Sequence, residues 1–303
     1  MKRFWHRYVT AVLATGAVVG CTAAPPDVPS SAPSGPSLAQ VRPQQRENDR
    51  QYHLPSAFSY IVQSGRRSGM GETTVKASCP ASEQVFGGGY DPGTNALGDG
   101  FIYASEFGSS HGAWLTKFRA FATNAPPLYS YAICGATTTS RMLTYVSNTE
   151  IFTTAGNYQV DAICPSGSTV ISGGYEKPAL TNDILIVGTF YGSSHDRWWT
   201  NVWLHHLIYS SYSVTTYAVC ASDTADYQYV SITQNVYAPG GAAKANCPQD
   251  YPNVVGGGFK APFSGSVDET ASEFGTDDSS WEGATTISYS ASLTAYAVCS
   301  DST

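Results

Sequence analysis

The sequence predicts an all-β protein built from three homologous, disulfide-closed β repeats packed with pseudo-threefold symmetry, as in a β-prism. Three observations predict this class: one block of sequence occurs three times, each block contains a cysteine pair, and the composition suits strands. The chain has 303 residues, among them 29 Gly, 20 Tyr and 7 Cys. Beyond the N-terminal segment, no long stretch shows the apolar period of an amphipathic helix.

The repeat is visible as three motifs that recur in the same order. The Cys-Pro pairs begin at Cys79, Cys164 and Cys247. Glycine-rich segments follow at 85–90, 170–175 and 254–259, and Tyr-Ala-(Ile/Val)-Cys closes each repeat at 131–134, 217–220 and 296–299. The predicted repeats span 56–138, 141–224 and 226–303. A period of this kind decides the fold before any local assignment.

Six of the seven cysteines lie in the repeats, two in each. Six cysteines allow 15 pairings, and the threefold symmetry favours the three within repeats: Cys79 with Cys134, Cys164 with Cys220, and Cys247 with Cys299. Closing loops of this size would stabilise each repeat by about 4 kcal/mol in the chain-entropy description. Metal ligation is the alternative, but no C-x-x-C pair occurs, and we predict neither a metal nor a cofactor.

We expect five or six short strands in each repeat. In the last strand of the second repeat, Ala218 and Cys220 share one face, and the small alanine lets a neighbouring strand approach closely enough for a disulfide. The glycine clusters are interpreted as bulges or positive-φ positions on the facing strand. One tryptophan recurs in each repeat and is predicted to pack in the core: Trp114, Trp198 and Trp281.

Short connections between the repeats favour three sheets around one axis over three domains in a row. The Cys-Pro, Gly-Gly-Tyr and Tyr-Ala-Val-Cys pattern resembles uncharacterised repeats of exported actinobacterial proteins and covers most of residues 56–303. The threefold set of disulfide-bearing β units is similar, in architecture only, to β-prism proteins such as vitelline membrane outer layer protein I. No residue-level site follows from either resemblance.

Residues 1–20 are predicted to be an export signal, with basic residues before an apolar stretch too short to span a membrane. The end of this segment, Val18-Val19-Gly20-Cys21, resembles a lipobox. That resemblance implies cleavage before Cys21 and a lipid on this cysteine, which would anchor the protein at the extracytoplasmic face of the cell membrane. An ordinary signal peptide is the alternative. Residues 21–51, rich in Pro and Ser, are predicted to be a disordered tether.

The charge balance argues against nucleic acid as a partner. The formal net charge is -7, and it becomes -10, from 13 basic and 23 acidic residues, once the three basic residues before Cys21 are removed. An acidic chain is a poor ligand for phosphate backbones.

One strand of the second repeat departs from its counterparts. If Trp198 points inward with Thr200, Val202 and Leu204, the residues that point outward are Trp199, Asn201, Trp203 and His205. The matching outward positions of the other repeats include solvent-type residues: Lys117, Arg119, Glu282 and Thr286. We therefore expect an aromatic platform that binds sugar or protein, unless a loop or a neighbouring repeat covers it.

The segment Gly108-Ser109-Ser110-His111-Gly112 matches G-x-S-x-G, which as a nucleophile elbow requires a strand, a turn and a helix. Related segments at 192–196 and 275–278 indicate a turn shared by the repeats. His111 and His195 are predicted to be polar loop residues that meet a ligand at corresponding sites. Loop carboxylates that could suit calcium lack EF-hand spacing, and we expect them to be solvated.

These observations favour a non-enzymatic surface-recognition module of the cell envelope that binds glycan or polysaccharide. The alternative is a structural or protein-interaction lipoprotein. A hydrolase is less favoured, because catalysis needs an asymmetric set of roles, and we find no position at which only one repeat carries a Ser/His/Asp set or paired acids.

Overall fold

The computed structural model describes residues 58–65, 70–93, 100–121, 127–136, 142–179, 183–206, 211–222, 226–262, 267–287 and 290–301. Strands, turns and extended segments make up these ranges, with no helix among them. Within them no helix is long and apolar enough to cross a membrane. The predicted signal peptide, Cys21 and the tether lie outside the described residues.

Each repeat contributes six strands. The first repeat forms β1 Phe58–Gly65, β2 Gly71–Ser78, β3 Glu83–Asp91, β4 Gly100–Phe107, β5 Ala113–Ala120 and β6 Leu128–Ala136. The second forms β7 Leu143–Phe152, β8 Gly156–Ile163, β9 Thr169–Glu176, β10 Ile184–Tyr191, β11 Arg197–Leu204 and β12 Tyr212–Ala221. The third forms β13 Tyr227–Val236, β14 Gly240–Asn246, β15 Asn253–Lys260, β16 Val267–Phe274, β17 Ser280–Ile287 and β18 Ala291–Ser300.

The strands form three six-stranded antiparallel sheets, and every repeat is divided between two of them. Sheet I has the order β1-β6-β3-β16-β17-β14, sheet II has β2-β5-β4-β9-β12-β7, and sheet III has β13-β18-β15-β10-β11-β8. In each sheet one repeat supplies its first, sixth and third strands, and another supplies its fourth, fifth and second. Because this exchange is cyclic, the repeats form one body rather than three domains in a row, and the predicted fold class is confirmed.

The three disulfides pair as predicted, with Cα separations of 5.5, 5.6 and 5.6 Å. In each repeat the first cysteine directly follows the second strand, and the other lies in the sixth strand, which belongs to a different sheet. Each disulfide therefore fastens together the two halves of a repeat. The alanine two residues before each closing cysteine is fully buried, as the close approach of strands requires: Ala132, Ala218 and Ala297.

The recurrent tryptophans are fully buried, which confirms their predicted place in the core. Each indole N–H donates to a hydroxyl on the fourth strand of its own repeat: Trp114 to Ser105 at 2.9 Å, Trp198 to Thr189 at 2.6 Å and Trp281 to Ser272 at 3.0 Å. The ring lies against the middle glycine of the same repeat, where a Cβ would overlap it. A buried indole with a satisfied N–H thus replaces the side chain that this glycine lacks.

The glycine clusters allow strands of different repeats to come close together. A Cβ on the last glycine of each cluster would overlap a carbonyl oxygen of the neighbouring repeat's fourth strand: Gly89 with Ser272, Gly174 with Ser105, and Gly258 with Thr189. These contacts lie where the third and fourth strands of different repeats pair. The absence of a side chain is therefore what lets two repeats join into one sheet.

The first position of each cluster lies where all three third strands converge, at the central axis. A Cβ on Gly87 would lie 2.7 Å from the Ser172 hydroxyl oxygen, and one on Gly256 would lie 2.6 Å from Ser172 Cβ. Ser172 is fully buried, and its hydroxyl has no hydrogen-bond partner within the described residues. The axis therefore has room for one small side chain, and the second repeat supplies it.

Of the two interpretations of these clusters, bulges or positive-φ positions, the structure confirms the bulges. A register shift precedes the cluster in β3, β9 and β15, where each strand pairs with the closing strand of its repeat. The positive-φ glycines of the described chain lie elsewhere, at Gly71, Gly93, Gly100, Gly167 and Gly240. The clusters consist of glycine because neighbouring strands occupy the space a Cβ would need.

We predict that Gly256→Ala destabilises the protein by at least about 2 kcal/mol, because overpacking in a close-packed interior forces the backbone apart. Ser172→Ala should be neutral or stabilising by about 1 kcal/mol, since it removes a buried hydroxyl without a partner. Denaturant unfolding with the disulfides intact measures both effects.

Gly112→Ala is the matched control, because the nearest atom to its new Cβ would be 3.8 Å away. Equal unfolding free energies for Gly256→Ala and Gly112→Ala would contradict the proposed role of the axis.

Candidate functional site on the outer face of sheet III

Strand β11 alternates as the sequence predicted. Trp198, Thr200, Val202 and Leu204 are all buried, whereas Trp199 and Trp203 are half-buried on the opposite face. The strand lies between β10 and the edge strand β8. Side chains on the outer face of β11 therefore have neighbours on both sides.

Trp199 belongs to a row of aromatic rings that crosses from the second repeat to the third. Its ring packs edge to face on Phe190, with centroids 5.7 Å apart and an interplanar angle of 85°. Phe190 in turn stacks on Tyr296, at 4.8 Å and 16°. Phe190 is only 3% exposed, so Trp199 is the ring of this row that is available to a ligand on β10 and β11.

Trp203 lies four residues further along the same face, about 13 Å away in an extended strand. The His205 ring packs against it, with the centroids 3.4 Å apart and tilted by 33°. The backbone N–H of His205 donates to the Asp183 carbonyl at 2.9 Å, which holds the imidazole beside the indole. One side of Trp203 is therefore occupied, and the ring is presented to solvent only in part.

Asn201 was expected to be available on the outer face, and that expectation is wrong. It is 2% exposed, and its Oδ1 accepts a hydrogen bond of 2.9 Å from Nε2 of Gln159 on β8. Gln159 itself is exposed. The amide that reaches solvent between the two tryptophans is therefore Gln159, which Asn201 holds in position. Only the register of β8 against β11 could have revealed this residue, because the two amides are 42 positions apart in the chain.

The equivalent face of sheet II is ionic. Lys117, at the position of Asn201, contacts Glu106 at 2.6 Å and Glu176 at 2.9 Å. Arg119, at the position of Trp203, contacts Glu72 at 3.3 Å. Sheet III thus has Asn201 and Trp203 where sheet II has ion-paired cations, and it has Trp199 where sheet II has Leu115.

The G-x-S-x-G segment is the hairpin turn between β4 and β5, and a strand rather than a helix follows it. The His111 N–H donates to the Gly108 carbonyl at 2.8 Å, as His195 does to Gly192 at 2.9 Å. Asp278 takes the same place in the third repeat, and all three residues have φ near 55°. The prediction of a shared turn is confirmed, and this geometry does not form a nucleophile elbow.

The two histidines of these turns lie at the contacts between repeats. The His111 ring stacks on Tyr145 at 3.8 Å, and the His195 ring stacks on Tyr229 at 3.6 Å. Burial lowers the pKa of both imidazoles. One ring face of each is therefore occupied by the next repeat. His111 lies in a hairpin turn of sheet II, whereas Trp199 lies in sheet III. His195 lies in the turn between β10 and β11, the hairpin that contains Trp199.

Tyr145 and Tyr229, which lie beneath these histidines, and their counterpart Tyr60 connect the three repeats in a ring. Tyr145 donates to the Val85 carbonyl at 2.8 Å, Tyr229 to Val170 at 2.7 Å, and Tyr60 to Val254 at 2.9 Å. Each accepting valine lies immediately before a bulge of a different repeat. A bulge interrupts the ladder locally, and the tyrosine supplies a donor there.

Two carboxylates that the sequence suggested as solvated loop charges, Asp91 and Glu176, instead end strands β3 and β9. Asp91 is 3% exposed and accepts a hydrogen bond from the Gly93 N–H at 2.7 Å, while Glu176 pairs with Lys117. Among the described residues, no group of three or more His, Cys, Asp or Glu side chains is placed to hold a metal ion.

Sequence reasoning missed Lys177, which is 4% exposed. Its Nζ donates to the Ile184 carbonyl at 2.5 Å and lies 4.4 Å from the Phe101 ring centroid. Burial lowers the pKa of this amine to about 7, and the Asp183 carboxylate opposes that shift. The corresponding residues of the other repeats are Pro92 and Ala261. A lysine in only one of three equivalent positions is the signal in the sequence that could have identified this residue.

No family model matches this sequence, and no curated protein resembles it at a significant level.

We predict that Tyr229→Phe lowers the unfolding free energy by about 1 to 3 kcal/mol, because the Val170 carbonyl loses its donor while the ring and its stack remain. Thermal or denaturant unfolding measures the loss. Tyr237→Phe is the control, since Tyr237 is 66% exposed. The same unfolding free energy for both variants would contradict the tyrosine contact as a stabilising link.

Stability should rise between about pH 7 and pH 10 because of Lys177. Below pH 7 the amine is protonated in both the folded and the unfolded chain, so the cost of burying its charge is present in full. As the pH rises through the folded pKa of about 7, the folded protein releases the proton, whereas the unfolded chain keeps it up to the ordinary value of 10.5. The expected slope is about 1.4 kcal/mol per pH unit at most.

Lys177→Met should remove this slope, and denaturant midpoints from pH 6 to 10 measure it. Lys76→Met, at an exposed position of β2, should keep the slope of the parent chain. A slope that persists in Lys177→Met would show that other groups cause it.

Proposed function

We propose that this protein is a non-enzymatic recognition module of the cell envelope, which binds glycan on the outer face of sheet III. The observation that supports this function is the replacement of paired charges by aromatic and amide side chains on one of three related sheets. In sheet II the positions of Asn201 and Trp203 hold Lys117 and Arg119, which form ion pairs with Glu106, Glu176 and Glu72, and the position of Trp199 holds the apolar Leu115. No requirement of the core explains Trp199 and Trp203, because both lie on the outer face.

The face has the chemistry that sugars require. Indole rings present an apolar surface that packs on the C–H faces of a sugar, and a few well-placed polar groups fix its orientation. The side chains of Trp199, Trp203 and Gln159 lie on two adjacent strands, with Asn201 holding the Gln159 amide in place. Sites built on strands are held more rigidly than sites on loops, which lowers the entropy cost of binding.

The proposed location agrees with this role. A lipid on Cys21 would hold the protein at the extracytoplasmic face of the membrane. Envelope and extracellular polysaccharides would then be within reach of sheet III.

A protein contact is the second candidate for the same face. Ile163 pairs with Arg197 at the end of β8 and is 52% exposed. An exposed aliphatic side chain close to tryptophan is typical of protein interfaces as well. Glycan binding is favoured because the amides Gln159 and Asn157 are exposed beside the two indoles.

Trp199→Ala and Trp203→Ala should each weaken glycan binding at least tenfold, the usual loss when an aromatic anchor is truncated. The full-length chain is first screened against cell-wall and extracellular polysaccharides, and affinities are then measured by calorimetry. The matched controls are Leu115→Ala and Arg119→Ala, which change the same two positions in sheet II.

All four variants are first checked for the unfolding midpoint of the parent chain, so that loss of binding is separated from loss of folding. Undiminished binding by both tryptophan variants would exclude this face as the site. Absence of glycan binding by the parent chain would favour the protein contact instead.

A further inference from the structure

We infer that the ligand on sheet III is an acidic glycan, with its anionic group on Lys260 and a sugar ring over Trp199. This inference rests on the proposed glycan-binding function and adds the chemical class of the ligand.

The strands of the three sheets differ in their balance of charged residues, and the balance in sheet III favours an anionic ligand. The strands of sheet I contain six acidic residues and one basic residue. Those of sheet II contain four acidic and three basic residues, and those of sheet III contain one acidic and two basic residues. Sheet III is thus the one sheet with a positive balance in a chain whose net charge is -7.

One of the two cations of sheet III is already neutralised. Arg197 contacts Asp161 at 2.8 Å and Asp196 at 2.9 Å. Lys260 is exposed and forms no ion pair with any residue that the structure describes. Its counterparts in the other repeats are the acidic residues Asp91 and Glu176. The sign of the charge is therefore reversed at this position of sheet III.

Lys260 lies at the aromatic row rather than apart from it. Its Nζ is 5.4 Å from the Phe190 ring centroid, and that centroid is 5.7 Å from the Trp199 ring. Lys260 therefore reaches Phe190 from β15, while Trp199 reaches it from β11. A sugar ring that stacks on Trp199 can therefore direct a neighbouring anionic group toward the Lys260 ammonium group.

An ion pair at this place would be stronger than one on an open surface. The Phe190 ring excludes water from one side of the ammonium group, and a bound sugar would exclude it from another. Charges act more strongly where water is displaced, and complementary charge selects among ligands of similar shape. Binding should weaken with added salt, because the pair stays partly exposed.

The test uses two pairs of polysaccharides that differ chiefly in charge: polygalacturonate with its methyl-esterified form, and dextran sulfate with dextran. The parent chain should bind the charged member of at least one pair tenfold more tightly or better. The pair that shows the preference identifies the anion as carboxylate or sulfate. In Lys260→Gln the ratio of the affinities for the charged and the neutral polysaccharide should fall close to one, while Lys260→Arg should keep the ratio of the parent chain.

Lys244→Gln is the control, because Lys244 is a half-buried cation of sheet I that contacts Asp277 at 3.3 Å, and its loss should leave the preference unchanged. Equal affinity for charged and neutral members, with binding still lost in Trp199→Ala, would overturn the acidic ligand and leave glycan recognition in place. Binding that neither Trp199→Ala nor Trp203→Ala alters would overturn both proposals, and no binding of either charged member would overturn the acidic ligand.

Discussion

The close approach of β3, β9 and β15 at the central axis is the constraint on which the rest of the structure depends. Gly87, Ser172 and Gly256 leave space there for one small side chain. Because only the Ser172 side chain lies between these strands, the last glycine of each cluster can lie beneath the fourth strand of the neighbouring repeat. That crossing joins two repeats into one sheet, and it occurs three times.

The exchange of strands makes the repeats mutually dependent. No repeat holds a complete sheet, so each needs the other two to pair its third and fourth strands. The disulfides hold the two halves of a repeat together, and the tyrosine contacts connect one repeat to the next. A linear repeat array gains stability from neighbours on either side and frays at its ends. Here the ring is closed, and the first repeat contacts the third through Tyr60 and Val254.

Interior residues are alike in the three repeats, whereas residues on the outer faces of the sheets differ. A tryptophan at the axis-facing position of β5, β11 and β17 has equivalent surroundings in each repeat, so all three keep it. An outer-face position meets different neighbours in each sheet, which leaves it free to differ. Sheet I is acidic, sheet II has paired charges, and sheet III has aromatic rings with a net positive balance. A threefold scaffold of this kind can hold an asymmetric site without altering its core.

Periodic and local features were predictable from the chain alone: the repeats, the cysteine pairing, the buried tryptophans and the alternation of β11. Each follows from symmetry or from the two-residue period of a strand. Four features depended on the tertiary structure: the exchange of strands, the spatial role of the glycines, the burial of Asn201 beneath Gln159, and the burial of Lys177. They depend on which strands of distant sequence lie side by side, and a residue's own neighbours in the chain do not contain that information.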